Sequence, residues 1–416
     1  MKRTIVPLGP FHPLLEEAEF FTLYVEGETV VDVDVRIGYM HRGIEKLSTQ
    51  KTWDQVPFLV ERICGICSTS HPMAYVLAVE DLGGFKVPER ADYIRSIICE
   101  LERIHSHLLW VGLAGHFIGY DTVFMWAWKY REPVLDICEK LTGNRNHYAM
   151  MKPGGVRRDF DPADFPWVHR EIDKIVASTE MLIGAVLDDP VLHARTKGVG
   201  VLSKEDAVAY GTLGPTVRAS GIADDIRADD PYAAYDRVDW KVITWEGGDV
   251  FAKAAVRLLE IIESAKIIKQ CMDTMPDGPI DSHIKAVPAG EGIGHAEAPR
   301  GEVFHYVRGD GGNTPIRHKI RAPSYMNIPS FKATCVGHTI SDVALITAAV
   351  DPCYCCTERM AVVERGTNTP VMSGRELEEL SRAATMKLKK DYGPSPVEAA
   401  AAKLLAGLAH VGKGTV

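Results

Sequence analysis

Hydrophobic spacing changes character along the chain. Near the start, apolar and polar residues alternate. Thr4–Pro7, Phe20–Val25 and Val30–Arg36 therefore read as strands, with Glu26-Gly27-Glu28 as the turn between the last two. The intervening Gly9-Pro10-Phe11-His12-Pro13-Leu14 reads as a loop stiffened by its two prolines. The period then lengthens to three and four. Trp53–Cys64 and His71–Leu82 read as short helices on either side of a cysteine turn. After Pro88, placed where a helix start tolerates a missing N–H, Ile94, Ile97, Ile98, Leu101, Ile104, Leu108 and Val111 line one face of a long buried helix. His105 lies on that face and His107 off it, and each is expected to be packed or hydrogen-bonded. Asp121–Leu141 is a second long helix, kinked or broken at Pro133 and stopped at Gly143-Asn144.

Helical spacing returns within Pro162–Leu187, at about Gly248–Met272 and at Ser341–Val350, and two amphipathic stretches close the chain, Gly374–Lys390 and Pro396–Leu408. Gly214–Asp239 is acidic and irregular. Met275–Glu297 is dense in proline and glycine and reads as a surface loop. Arg300–Arg308 and Pro315–Arg321 alternate around Gly309-Asp310-Gly311-Gly312-Asn313, a hairpin signal. The expected fold class is α+β, predominantly α. It comprises an N-terminal β element (1–40), a helical catalytic core with a hairpin near 300–321 (41–359) and a C-terminal extension (360–416).

Composition narrows the function. At 416 residues, with 46% hydrophobic and 25% charged positions, the chain is expected to bury a large core. A net charge of −9 argues against nucleic acid as a partner, since no basic excess is available to neutralise phosphates. No apolar run approaches the ~18 residues of a spanning helix, and Met-Lys-Arg-Thr-Ile-Val-Pro lacks the apolar core of a signal peptide. Nine cysteines, an odd number, suggest reduced thiols for packing, metal or redox use.

Those cysteines are unevenly placed. Asp351-Pro352-Cys353-Tyr354-Cys355-Cys356-Thr357-Glu358-Arg359 holds three, and Arg62-Ile63-Cys64-Gly65-Ile66-Cys67 with His71 holds two more. Two C-x-x-C turns can supply four thiolates to one metal centre. Structural zinc sites usually place their pairs ~12–20 residues apart, whereas some 285 residues separate Cys67 from Cys353. Thiolates suit zinc, nickel, iron and iron–sulfur clusters alike, so spacing alone leaves the metal open. Cys99, Cys138, Cys271 and Cys335 lie in apolar stretches and read as core.

Six separated motifs narrow the choice. They are His41-Arg42-Gly43-Ile44-Glu45-Lys46, Glu61–Cys67 with His71, Ser106-His107-Leu108-Leu109-Trp110, Gly154-Gly155-Val156-Arg157-Arg158, Ala298-Pro299-Arg300-Gly301 and Asp351–Arg359. In this order they resemble the large subunit of [NiFe] hydrogenases, specifically the membrane-bound, energy-converting branch related to respiratory complex I. The resemblance covers most of residues 1–360.

It implies a large-subunit-like fold and reversible reduction of protons to hydrogen at a nickel–iron centre whose iron carries carbon monoxide and cyanide. It further implies that Cys64 and Cys353 bind nickel terminally and that Cys67 and Cys356 bridge to iron. Pro299 and Arg300 would line the pocket of the diatomic ligands, His71 would donate to a bridging sulfur, and Asp351 would cap its turn or hold the surroundings of Arg300. Cys353 would be the first proton acceptor and Glu45 the relay carboxylate. Without the resemblance, Glu45 would be expected to pair with Lys46 or Arg42, and Arg300 to be a surface charge. Cys355 stands where relatives commonly carry serine and reads as a neighbour, not a ligand.

The implied partners are a small subunit with a [4Fe–4S] cluster, a ferredoxin-type donor, membrane-embedded ion-translocating subunits and a maturation endopeptidase. The lack of a signal peptide then suggests the cytoplasmic face of the membrane. The endopeptidase would cut between Arg359 and Met360, although the 57 residues beyond read as helical and their retention stays open. Three alternatives remain. A quinone-reducing complex I subunit shares the Gly9-Pro10-x-His12-Pro13 loop, in which its histidine contacts quinone, but it lacks the four thiolates. The others are a sulfur-reducing relative that has lost part of the cysteine set and a zinc-stabilised interaction subunit.

Overall fold

The computed structural model describes residues 3–12, 15, 17–359, 362–364, 366–367 and 369–393. Pro13, Leu14, Met360 and the stretch Pro396–Leu408 lie outside the described residues. Contacts divide the chain into two units, Met1–Glu358 and Arg359–Val416. Within the second unit, Gly374–Tyr392 is a helix opened by a capping box between Ser373 and Glu376.

The first unit begins with an antiparallel meander of β1 (Arg3–Leu8), β2 (Phe20–Glu26) and β3 (Thr29–Arg36). Alternation puts Phe21, Leu23, Val25, Val30 and Val33 on one face. That face is buried against Phe331, Cys335, Val343, Ile346 and Tyr354. The sheet thus backs the second cysteine turn, and the Tyr354 ring stands edge-on to Phe21 at 6.3 Å.

Beside this sheet, Glu19 is 0% exposed, and its Oε2 has no partner among the described residues. Burial pushes its carboxyl up to about 8, with Glu358 and Glu17 adding repulsion against a bond from the Phe20 N–H. A raised carboxyl favours folding at low pH and withdraws that support as pH rises through the folded value. Urea denaturation is therefore expected to show lower stability at pH 9 than at pH 6. Glu19→Gln should remove part of that slope and raise stability at pH 9 by on the order of 3 kcal/mol.

The helical core is built from α2 (Ser70–Gly83), α3 (Glu89–Phe117), α4 (Asp121–Thr142), α5 (Phe165–Leu187) and α6 (Val250–Thr274); a short α1 (Ile44–Ser48) precedes them. Ile94, Ile97, Ile98, Leu101, Ile104, Leu108 and Val111 are all buried in the main cluster, as their spacing requires. Pro133 sits inside α4, which runs on to a left-handed Gly143, so the expected break is absent. Packing of Val134, Ile137, Cys138 and Leu141 into the core offsets the cost of the missing hydrogen bond.

A second correction concerns Met275–Glu297. Ala289–Ala298 is a strand, β4, pairing with β5 (Gly301–Asp310), which pairs in turn with β6 (Arg317–Arg321). Its glycines alternate because α2 lies directly on them. A Cβ on Gly292 would stand 2.2 Å from the carbonyl oxygen of Ala78, and one on Gly294 2.3 Å from that of Ala74. Here glycine marks close approach and not a loop. The chain continues through α7 (Ile340–Ala349) into the second cysteine turn. No helix among the described residues is long and apolar enough to cross a membrane.

Candidate metal centre

The first cysteine turn is held between a short helical segment ending at Ile63 and the start of α2. Glu102, fully buried on α3, accepts from the Thr69 and Ser70 N–H groups and from the Ser70 hydroxyl. Burial pushes its carboxyl up to about 8, against those hydrogen bonds. Ser68 donates to Gly65 O at 2.8 Å and meets Asn146 and His147. The second turn leaves α7 through Asp351, whose φ of 58° is left-handed, and forms a four-residue helix at Tyr354–Thr357. The Cys353 N–H donates to Ser324 Oγ at 2.9 Å, and the Cys355 N–H to Glu17 at 2.7 Å.

The turns meet. Sulfurs of Cys64, Cys353, Cys355 and Cys356 all lie within 4.8 Å of one another. Cys353 Sγ is 2.7 Å from Cys356 Sγ and 3.4 Å from Cys355 Sγ. Cys67 falls outside that mutual group, yet its N–H lies 3.5 Å from Cys64 Sγ. Contacts from Cys353 first, then Cys355, Cys356 and Cys67, hold Cys64 well below the usual thiol value against its burial. Five thiols thus converge on one largely buried site. Soft, buried sulfur donors without a carboxylate in the group fit nickel, iron or zinc.

Arg42 ties the two turns together. Its guanidinium donates to Arg62 O and Ile63 O, each at 2.7 Å, and to Cys355 O at 3.3 Å. The motif around it was visible in the sequence, but this role needed both turns in place. Arg300, at the β4–β5 turn, is 3% exposed. It donates to Asp351 O and Oδ1, each at 2.6 Å, and approaches Cys67 Sγ at 3.5 Å. Pro299 precedes it in the same turn. His71 Nε2 lies 3.5 Å from Cys356 Sγ. Lys319 Nζ donates to Glu45 at 2.8 Å and the Ile320 N–H at 3.0 Å. Of the helix histidines, His107 meets Glu260 at 2.7 Å and His105 contacts Arg131.

The family described as respiratory-chain NADH dehydrogenase, 49 Kd subunit, matches residues 118–287 and 282–359, and that described as nickel-dependent hydrogenase matches 42–114. The membrane-bound hydrogenase subunit alpha of Pyrococcus furiosus is 39% identical over 408 residues, covering 94% of this chain and 95% of that one. The carbon monoxide-induced hydrogenase of Rhodospirillum rubrum is 41% identical over 361 residues, covering 86% of this chain and all of its own. Among solved structures, a chain of the membrane-bound sulfane sulfur reductase superposes with a TM-score of 0.81 at 31% identity, covering 86% of this chain and 98% of that one. The chain therefore belongs to the family that joins the 49 Kd subunit of respiratory-chain NADH dehydrogenase to the nickel-dependent hydrogenases, alongside the membrane-bound hydrogenase alpha subunits.

Proposed function

We propose that this chain is the catalytic subunit of an energy-converting [NiFe] hydrogenase that reversibly reduces protons to hydrogen. The observation that carries the reading is the convergence of buried thiols from both C-x-x-C turns, with Arg300 and His71 against them. Cys64, Cys67, Cys353 and Cys356 would hold the metals, with Cys355 beside them. A bound nickel–iron pair, its iron carrying carbon monoxide and cyanide, would supply the centre where protons and electrons combine.

The protein's own part is to exclude water and handle protons. Arg300 and Pro299 would wall the site, and Asp351 fixes Arg300 by two hydrogen bonds. Cys353 Sγ is the proposed first proton holder and the Glu45 carboxylate the next, a general acid/base role. Electrons would come from a ferredoxin-type donor through a small subunit with a [4Fe–4S] cluster. Ion-translocating membrane subunits would anchor the assembly at the cytoplasmic face, and an endopeptidase would cut after Arg359.

Metal analysis of the purified complex tests the reading. About one nickel per chain with hydrogen evolution supports it, whereas zinc alone overturns it in favour of an interaction subunit. Nickel-free protein active with sulfur or quinone favours the reductase relatives instead. Glu45→Gln should keep the metals and slow hydrogen evolution by roughly 10²-fold or more. Normal turnover by that variant would remove the relay assignment.

A further inference from the structure

Behind Cys356 three histidines stand in file. From the sulfur, His71 presents Nε2, and its Nδ1 lies 3.0 Å from His305 Nε2. His305 Nδ1 is 2.9 Å from His318 Nε2, and His318 Nδ1 is 3.0 Å from Ser48 Oγ. Ser48 Oγ is also 2.8 Å from the backbone carbonyl of Glu45. Every member is buried, none more than 1% exposed.

The fold explains the alignment. His71 lies in the first turn of α2, His305 on β5, His318 on β6 and Ser48 at the end of α1. His305 pairs across the sheet with Gly294, the glycine whose missing side chain lets α2 lie close. His318 is set diagonally from His305 on the neighbouring strand, and the Tyr75 ring packs on it at 5.3 Å.

A neutral imidazole has one N–H and one acceptor nitrogen. Burial pushes His318 down to about 3 and His305 well below the usual value, so each ring carries a single proton. Each ring-to-ring contact takes one proton, so the whole file must point the same way. Ser48 has one hydroxyl proton and two acceptors in reach, His318 Nδ1 and Glu45 O. In one sense Ser48 donates to His318, every ring is protonated on Nε2, and His71 donates to Cys356 Sγ. In the other, Ser48 donates to Glu45 O, every ring is protonated on Nδ1, and His71 accepts at the sulfur. A metal-bound thiolate has no proton to give, so it fits only the first sense.

We propose that His71, His305 and His318 carry the state of the cysteine site to helix α1. Capture of a divalent ion by Cys356 releases one proton to solvent, fixes the file in its Nε2–H sense and turns the Ser48 hydroxyl away from Glu45. His305, His318 and Ser48 are thus positioning residues that link metal occupancy to the helix bearing Glu45. The proposal rests on Cys356 being a metal ligand and does not require the metal to be nickel.

Nitrogen-15 spectra of the histidine-labelled full chain test it, with zinc as a diamagnetic probe and thiols kept reduced. Zinc is expected to convert His318, three hydrogen-bond contacts from the sulfur, to a single Nε2–H tautomer. In His305→Leu the file is cut, and His318 should no longer respond to zinc. His318 unchanged on loading of the wild-type chain overturns the proposal, as does an equal response in His305→Leu. Should that variant not fold, the wild-type measurement alone decides. Zinc bound without a change at His318 defeats only this proposal, whereas a chain whose thiols take up no zinc defeats the metal-centre reading with it.

Discussion

Cys353→Ser is expected to leave the chain folded and, on the proposed [NiFe] reading, unable to hold nickel. Serine keeps nearly the same shape, and the Cys353 N–H can still reach Ser324 Oγ because that bond uses only backbone. The lost group is the soft sulfur. A hydroxyl is a poor ligand for nickel and does not deprotonate readily, so the site keeps three of its four proposed donors. Nickel per chain should fall about tenfold or more and hydrogen evolution should vanish, while the unfolding free energy of the metal-free protein falls by only about 1 kcal/mol. Cys355→Ser provides the contrast. Its sulfur sits 3.4 Å from Cys353, but its proposed place is beside the ligands, so nickel should be retained. Loss of nickel from Cys355→Ser and not from Cys353→Ser would reassign the terminal ligand.

Arg218→Met is expected to cost about 3–5 kcal/mol, seen as a Tm roughly 5 °C lower. Arg218 is fully buried. Its guanidinium reaches Glu260 and Glu297, each at 2.8 Å, and Asp225 at 3.4 Å. Removing it strands three buried carboxylates with too few cations. Arg227 and Arg103 continue the web through Glu100, and Arg103 also donates to Glu297 O at 2.7 Å and Ala298 O at 3.2 Å. The strand leading into Arg300 is therefore fixed by ion pairs, and metal retention should weaken along with stability. A variant of wild-type stability would show that methionine packs in that space and that the carboxylates find protons.

Periodic burial made much of the fold legible. The long helix Glu89–Phe117 and the N-terminal meander follow from the spacing of Ile94 to Val111 and of Phe21 to Val33, because one side of each had to be dry. Both cysteine turns stood out for the same local reason. What stayed hidden depended on distant partners. Glu100, Glu102 and Arg103 look like a wet helix face, yet all are 0% exposed, since Glu100 pairs with both Arg103 and Arg227 while Glu102 accepts from the N–H groups of the cysteine turn. β4 was hidden because its glycines answer to α2 and not to its own backbone. His305 and His318, separated by a turn and remote from His71, carried no spacing that joined them; two histidines on paired strands were the one available hint.

The distance along the chain between the two halves of the site bears on how it is filled. His71 and Cys356 are 285 positions apart. At about 5–20 residues per second, a ribosome would release the second turn roughly 15–60 s after the first. Through that interval Cys64 and Cys67 are exposed as a bare pair, able to grip an ion with two sulfurs and hold it weakly. The complete site exists only after α7 has docked and Arg42 can reach Cys355. Metal delivered earlier meets half a cage and can leave or be exchanged. On the proposed metal-centre reading, stable insertion would therefore wait until both turns have been synthesised and brought together.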